Sequence, residues 1–565
     1  MFGLHIADVV VLGVYFIGIT LLGVWAARLV KTMGDFFMPR KFGKMMLITH
    51  AFGTGTHSDQ AVGVASKTFT DGLSGIWYQW LWLFCTPFYW LIAPIMRRFR
   101  AMTTADVFVA RYGRSVGMLF AFIGAFQLMF VIGMMLKGSG AVVSASLGGE
   151  VESNTIILIM TGMFVAYGVA GGLSAAIITD FVQGILTVVF SFILVPYVLD
   201  AVGGLAGLRD SIDNSEKMFS LTAPGGITAF YIAIIALNAL IGIVTQPHTM
   251  GTCAAVRTES DGRVGFTVGN FVKRICTMAW CITGLAAVGY LAGGVDDPDK
   301  VYGLMAKKFF PEIMPGLLGV FIASLLASVM SSCDSFMIAS SALFTENLYK
   351  PLVPDKSQKH YLLVGRITAL AIVAGGLTSA YTIESVVKGL EIFWKIAAMM
   401  GIAFWLGLLW RRATVAGAWA SCLSAFAMLL LSMQEFFIGF IGDHWPGLVG
   451  PNDKGVIVMV LHWQMIFYLV TGFGVGIVVS LLTKPVAEGK LERFYQLVRT
   501  PVETGEGAPD EPCTLPEGIA PKPRRVLIGV WGLEIPVPRP SAIIGFVVSW
   551  LVVGAMILGF YVLTR

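Results

Sequence analysis

The sequence predicts an all-α, polytopic membrane protein with about fourteen transmembrane helices. Three observations carry that expectation. Hydrophobic residues make up 56% of the 565-residue chain and charged residues only 13%. The mean hydropathy is +0.79, outside the range of soluble enzymes. Apolar runs about as long as a bilayer is thick recur along the chain, and the loops between them alternate between basic and acidic.

The apolar runs lie at roughly 7–29, 45–68, 74–95, 115–146, 154–172, 174–200, 225–250, 264–294, 314–346, 361–383, 387–410, 414–433, 457–483 and 541–563. The first is too long for a signal-peptide core and is followed by Arg28 and Lys31. It reads as a retained span with its N-terminus outside. From that start, the inside loops carry Arg40, Lys41 and Lys44, then Arg97, Arg98, Arg100, Arg111 and Arg114. Arg257, Arg263, Lys350, Lys356, Lys359, Arg411 and Arg412 continue the series. The outside loops hold Glu150, Glu152, Asp210, Asp213, Glu216, Asp296, Asp297 and Asp299. The pattern predicts a multi-pass plasma (inner) membrane protein with both termini outside. The stretch 484–540 opens as an amphipathic helix (LERFYQLV) and turns rich in Pro, Gly and Glu over 501–523. It reads as a cytoplasmic linker, partly disordered. Seven cysteines without CxxC spacing read as small core residues. No nucleophile–base pair, metal constellation or nucleotide motif stands out, so neither an enzyme nor a nucleic-acid partner is expected.

The most informative element interrupts the second run: Gly53-Thr54-Gly55-Thr56-His57-Ser58-Asp59-Gln60. A central Asp costs roughly 2.5–3.5 kcal/mol to insert in a membrane, and the glycines and threonines ahead of it weaken the helix. Unwound backbone at membrane depth persists only inside protein or along a watery cavity. A broken helix of this kind points to a transporter's solute and ion site. A second signal is Ser328, Ser331 and Ser332, at i, i+3 and i+4 on one helix face. Spacing alone fits helix packing equally well. A third is Glu391 and Lys395, four apart in KGLEIFWKIAAMM, able to pair with each other or to meet a solute.

Five stretches resemble the sodium:solute symporter family, which includes sodium/galactose, sodium/proline, sodium/pantothenate and sodium/sialic acid transporters. They are GTGTHSDQAVGVASKTFTDGLSGIWYQW, RRFRAMTTADVFVARYG, YGVAGGLSAAIITDFVQG, ASVMSSCDSFMIASSALFTENLYK and LGLLWRRAT, in family order. The resemblance implies a LeuT-like core of two inverted five-helix repeats. In this chain 1–44 would hold a first helix and inside loop, 45–200 repeat 1 and 225–412 repeat 2. Two peripheral helices (413–483), the linker (484–540) and a last helix (541–565) would follow.

The resemblance also implies site residues. A sodium ion would take carbonyls of Gly53, Thr56 and Ser328 and the hydroxyls of Ser331 and Ser332, oxygen ligands that suit a hard cation. Relatives with a second sodium use positions equivalent to Asp180, Ser331, Asp334 and Ser335, although Asp180 fits an interfacial residue equally well. Gln60, Gln79 and Asn238 match solute-contacting positions. Lys395 is unusual for the family and could neutralise a carboxylate. His57 and Asp59 rank lower, as residues facing helix partners. The aromatic gate of the sugar branch, expected near Ile241, is absent, and TQPH at 245–248 looks more like the proline and pantothenate branches. The expected function is Na⁺-coupled symport of a small polar organic solute by alternating access, leaning to an amino or organic acid over a sugar. A proton-coupled or uniport carrier, or a membrane-embedded sensor, is the alternative.

Overall fold

The computed structural model describes residues 4–28, 43–53, 57–212, 214–223, 226–291, 294–452, 454–503, 505–506 and 511–565. Within helices, the side chains of 166–183, Ser58 and Ser331 also lie outside the described residues. Thr56 and the side chains of Asp180 and Ser331 therefore fall outside them.

The chain is a helical bundle: eight described helices are long and apolar enough to cross a membrane, or up to ten if each of two bent pairs counts as one span. After α1 (Ile6–Ala27), the second run is broken as the sequence predicts, into α2 (Lys44–Gly53) and α3 (Ser58–Asp71). The run at 74–95 is not one helix. Gly72, Gly75 and Pro87 divide it into 3₁₀ turns, a short helix Trp77–Trp80 and α4 (Thr86–Arg98).

α5 (Thr104–Arg111) starts at a capping box in which Thr103 and Asp106 satisfy each other's backbone N–H groups. α6 (Arg114–Ser146) and α7 (Ser153–Ile193) follow. α7 corrects an expectation: the runs 154–172 and 174–200 form one unbroken 41-residue helix that ends at Ile193. At 1.5 Å per residue it is about 60 Å long, roughly twice the hydrocarbon core. Gly171-Gly172 costs helix propensity, but it does not end the helix where the backbone has no water to bond.

The run at 225–250 is also broken, into α8 (Ala229–Ile243) and α9 (Pro247–Ala254), which meet at 56°. Pro247 supplies no N–H and restricts the residue before it, so the helix stops at its approach. Next come α10 (Glu259–Tyr290), α11 (Val301–Ile313) and α12 (Leu317–Phe344), which continues through a π turn, Thr345–Tyr349. α13 (Gln358–Thr382), α14 (Val386–Leu409), α15 (Val415–Leu431), α16 (Glu435–His444), α17 (Leu461–Leu482), α18 (Glu488–Arg499) and α19 (Pro540–Thr564) complete the chain.

α12 is the buried axis, with α6, α7 and α13 around it. α10 lies against α2, α3 and α4, so the first break sits between α10 and α12. Gly138 of α6 lets this break be approached closely, since a Cβ there would stand 2.9 Å from Asp59 Cα.

The arginine-rich end is a built scaffold. Arg111 donates through Nε to Gly407 O (2.7 Å) and through Nη2 to Trp410 O (2.9 Å). The stretch 484–540 also departs from the expected loose linker. The predicted amphipathic helix is present as α18, with Leu491, Phe494, Tyr495, Leu497 and Val498 buried. Beyond it, Glu506 accepts from Arg100 Nε (2.6 Å) and Nη2 (2.8 Å), both side chains buried. Glu259 accepts from Arg98 and from Val502 N. Glu534 N bonds Leu409 O (2.8 Å) and Arg411 N bonds Gly532 O (2.8 Å). These ion pairs and backbone bonds hold a polar segment that composition alone reads as disordered.

Candidate solute and cation site

The two helix breaks face one cavity of about 60 Å³, lined from the first break by His57, Asp59 and Gln60 and from the second by Gln246, His248 and Thr249. Each break leaves backbone N–H and carbonyl groups without helical partners. The volume holds roughly four waters. The aromatic rings of Trp82, Tyr89, Phe266, Phe336, Phe393 and Trp394 wall it.

Polar atoms in this wall are left waiting. Asp59 Oδ2, Gln60 Oε1, Gln246 Nε2 and Arg274 Nε are buried and have no hydrogen-bond partner among the described residues. An unmade buried hydrogen bond costs about 1–3 kcal/mol, so four around one cavity mark a place where water or a polar ligand completes the set. Asp59 is otherwise held through Oδ1 by the ring nitrogen Nδ1 of His57.

The same cavity is lined by two buried cations from α10, Lys273 (5% exposed) and Arg274 (1% exposed). Arg274 is locked in place: Nη1 donates to Gln79 O (2.7 Å) and its carbonyl accepts from Trp80 Nε1 (3.0 Å). Lys273 makes no ion pair among the described residues, so its ammonium faces the cavity without a carboxylate. The sequence reading passed over both. The signal was present, since Lys-Arg in FVKRICTMAW is a charge pair inside an apolar run, the kind of residue that is functional by default. Gln246 and His248 were equally legible as a Pro-linked polar break in the run at 225–250. His57 and Asp59, ranked low from sequence, line the cavity.

The expected solute residues divide. Gln60 and Gln79 line the cavity. Asn238 does not: its Nδ2 donates to Trp394 O (3.1 Å) and its Oδ1 accepts from the Tyr468 hydroxyl, so it ties α8 to α14 and α17. Glu391 and Lys395 are not paired. Glu391 accepts from the Tyr78 hydroxyl (3.0 Å) and meets Lys388 (3.7 Å), one turn earlier on the helix. Both i+3 and i+4 neighbours lie on one helix face, and the contact across to Tyr78 draws Glu391 to the earlier lysine.

The cation residues lie beside the first break. α2 ends at Gly53, and the last turn of a helix leaves carbonyls without intrahelical partners. Ser328 of α12 and His57 line the same void of about 10 Å³. Elsewhere on α12, Ser324 and Ser341 donate back to the helix carbonyls of Phe321 and Ile338. Ser332 and Ser335 do not; their hydroxyl oxygens are buried with no partner among the described residues. That donor set fits a hard monovalent cation. Asp334 is buried beside them. Ser335 also lines a second cavity of about 40 Å³ with Thr103, Thr104, His248 and Thr252. His248 and Thr252 thus divide the central cavity from one toward the arginine-rich end. The His248 ring leans on Phe336 with centroids 4.1 Å apart.

Comparison with known proteins agrees with this geometry. The family model described as "SSF: Sodium:solute symporter family" matches residues 36–424. The osmoregulated proline transporter OpuE of Bacillus subtilis (strain 168) is 25% identical over 478 residues, covering 81% of this chain and 95% of its own. The sodium/pantothenate symporter of Escherichia coli (strain K12) is 23% identical, covering 73% and 86%. Sodium/glucose cotransporter 4 of Danio rerio is 24% identical, covering 87% and 81%. Among solved structures, a Na⁺-coupled sialic acid symporter in a substrate-bound outward-open state superposes with a TM-score of 0.68 at 17% identity. It covers 86% of this chain and 99% of its own, a likeness of fold.

Proposed function

Since the chain belongs to the sodium:solute symporter family and is a multi-pass, sodium-coupled transporter rather than an enzyme, we propose that its solute is a small carboxylate-bearing molecule, with an amino acid the best chemical fit. The observation that carries this is Lys273, a buried ammonium facing the cavity without a carboxylate. A charge at membrane depth costs roughly 2.5–3.5 kcal/mol, and a solute carboxylate offsets it. Asp59 Oδ2, on the first break, offers the opposite charge to a solute ammonium. Gln60, Gln79 and Gln246 add amide donors and acceptors. Proline, pantothenate and sialic acid, named among the similar proteins, all carry a carboxylate; glucose does not. The buried cation favours the first group.

The sodium ion is transported cargo. Gly53, Thr56, Ser328, Ser331 and Ser332 hold it between the broken helix and α12. Asp180, Asp334 and Ser335 form a second cation set toward the arginine-rich end. Sodium fixes the first break in the form that presents Asp59 and Gln60 to the cavity, so solute binds better to the loaded state. Such linkage is reciprocal. Release runs past His248 and Thr252 into the second cavity. Two inverted repeats, 45–200 and 225–412, support this motion; each opens with a broken helix, α2–α3 and α8–α9. The arginine-rich face is inside and both termini are outside, in line with the charge pattern.

The test is Lys273→Met in proteoliposomes. Hydrogen bonds to charged groups contribute about 1.5–3 kcal/mol, so carboxylate solutes should lose roughly 10- to 150-fold in affinity. Sodium affinity should remain. Equal uptake of one neutral sugar by wild type and variant would sink the proposal.

A further inference from the structure

At the arginine-rich end, the bundle carries a groove of about 1190 Å³, some twentyfold the 60 Å³ central cavity. Its walls are the ends of two spanning helices, with Trp405 and Leu409 from α14 and Phe473 and Ile477 from α17. α18 closes one side through Leu491, and the loop after 526–528 brings Trp531 to the mouth. The groove therefore lies where the apolar spans end, at the level of the membrane surface.

The mouth is cationic, and its two arginines differ. Arg411 is compensated: Glu488, Glu492 and Glu534 all lie against it. Arg412 is not. Its Nη2 donates to the carbonyls of Leu481 (3.0 Å) and Thr483 (2.9 Å), and Nη1 is buried with no hydrogen-bond partner among the described residues. No carboxylate reaches it there. Beside it, Trp531 is 91% exposed and Leu482 80% exposed. Trp531 also holds a left-handed backbone, φ 53°, which is costly for a bulky side chain. An indole displayed this way is poorly placed in water and well placed at a lipid headgroup layer.

We infer that this groove binds one anionic phospholipid, with its acyl chains between α14 and α17 and its phosphate on Arg412. Charge complementarity selects the occupant: a long apolar slot ending at an uncompensated guanidinium matches a lipid tail joined to a phosphate. A soluble partner would have to displace bilayer lipid from the walls of two spanning helices. The bound lipid would also join the membrane domain to the 484–540 segment, since α18 and Trp531 belong to that segment.

The experiment compares thermal unfolding of the full chain in detergent with added phosphatidylglycerol, phosphatidylcholine or inorganic phosphate. Phosphatidylglycerol should raise the melting temperature by several degrees more than phosphatidylcholine, and phosphate alone should do nothing. Arg412→Gln should erase the difference between the two lipids while leaving the phosphatidylcholine response intact. Should that variant fail to fold, Ile477→Trp, which fills the slot, should remove the phosphatidylglycerol effect. Equal stabilisation by both lipids overturns the inference. So does a shift with free phosphate, or a phosphatidylglycerol preference that survives in either folded variant.

Discussion

Lys273 and Asp59 line one buried cavity with opposite formal charges, yet no ion pair joins them among the described residues. A direct pair would satisfy both groups and leave nothing for a ligand. Held apart, each keeps an unmet demand that a zwitterion meets at both ends. Asp59→Asn should therefore weaken amino acids about tenfold or more while leaving simple carboxylic acids almost unaffected. Competition assays against one labelled solute measure this, and equal losses for both solute types would remove the role assigned to Asp59. On α12, the hydroxyls of Ser332 and Ser335 lack the helix-carbonyl bonds made by Ser324 and Ser341. Ser332→Ala should raise the sodium concentration for half-maximal uptake by roughly tenfold or more. Normal sodium activation would show that the cation sits elsewhere.

Helices and their interruptions carry the next level. The first break was legible because Gly, Thr and a charged run share one stretch. The second was equally written, as Thr245-Gln246-Pro247-His248, but a run counted by hydropathy alone hides a Pro-induced bend. α7 misled in the other direction: a Gly-Gly step suggested a turn, while the backbone stays helical through it. The 484–540 segment could not be read from composition at all. Its order comes from ion pairs between residues hundreds of positions apart, such as Arg100 with Glu506 and Arg411 with Glu534, and no local pattern encodes these. Removing one partner of a buried pair costs roughly 3–5 kcal/mol. Glu506→Ala should thus undock the segment and speed proteolysis within 500–525 severalfold, without abolishing solute binding. An unchanged cleavage rate would mean the segment is held by its apolar helix alone.

The whole molecule is a device for making two binding events depend on each other. The central cavity lies between both broken helices, and the cation residues touch one of them. Any ion that orders the first break also sets the solute wall. Moving one charge through about 100 mV supplies roughly 2.3 kcal/mol, close to a fifty-fold solute gradient per sodium. Uptake into proteoliposomes should rise with an inside-negative potential and collapse when it is dissipated; indifference to potential would argue for electroneutral exchange. Membrane class, the first break and the serine face all stood in the sequence. The cationic wall stood there too, but only the fold shows that α10 turns Lys273 toward the break.

The most direct measurement is thermal unfolding of the purified protein in Na⁺ or K⁺ with amino acids, organic acids and neutral sugars. Linked binding predicts that one carboxylate-bearing solute stabilises the protein in Na⁺ and not in K⁺, with a shift that grows with its concentration. A solute that stabilises equally in both salts, or a neutral sugar that stabilises where no carboxylate does, would contradict the account.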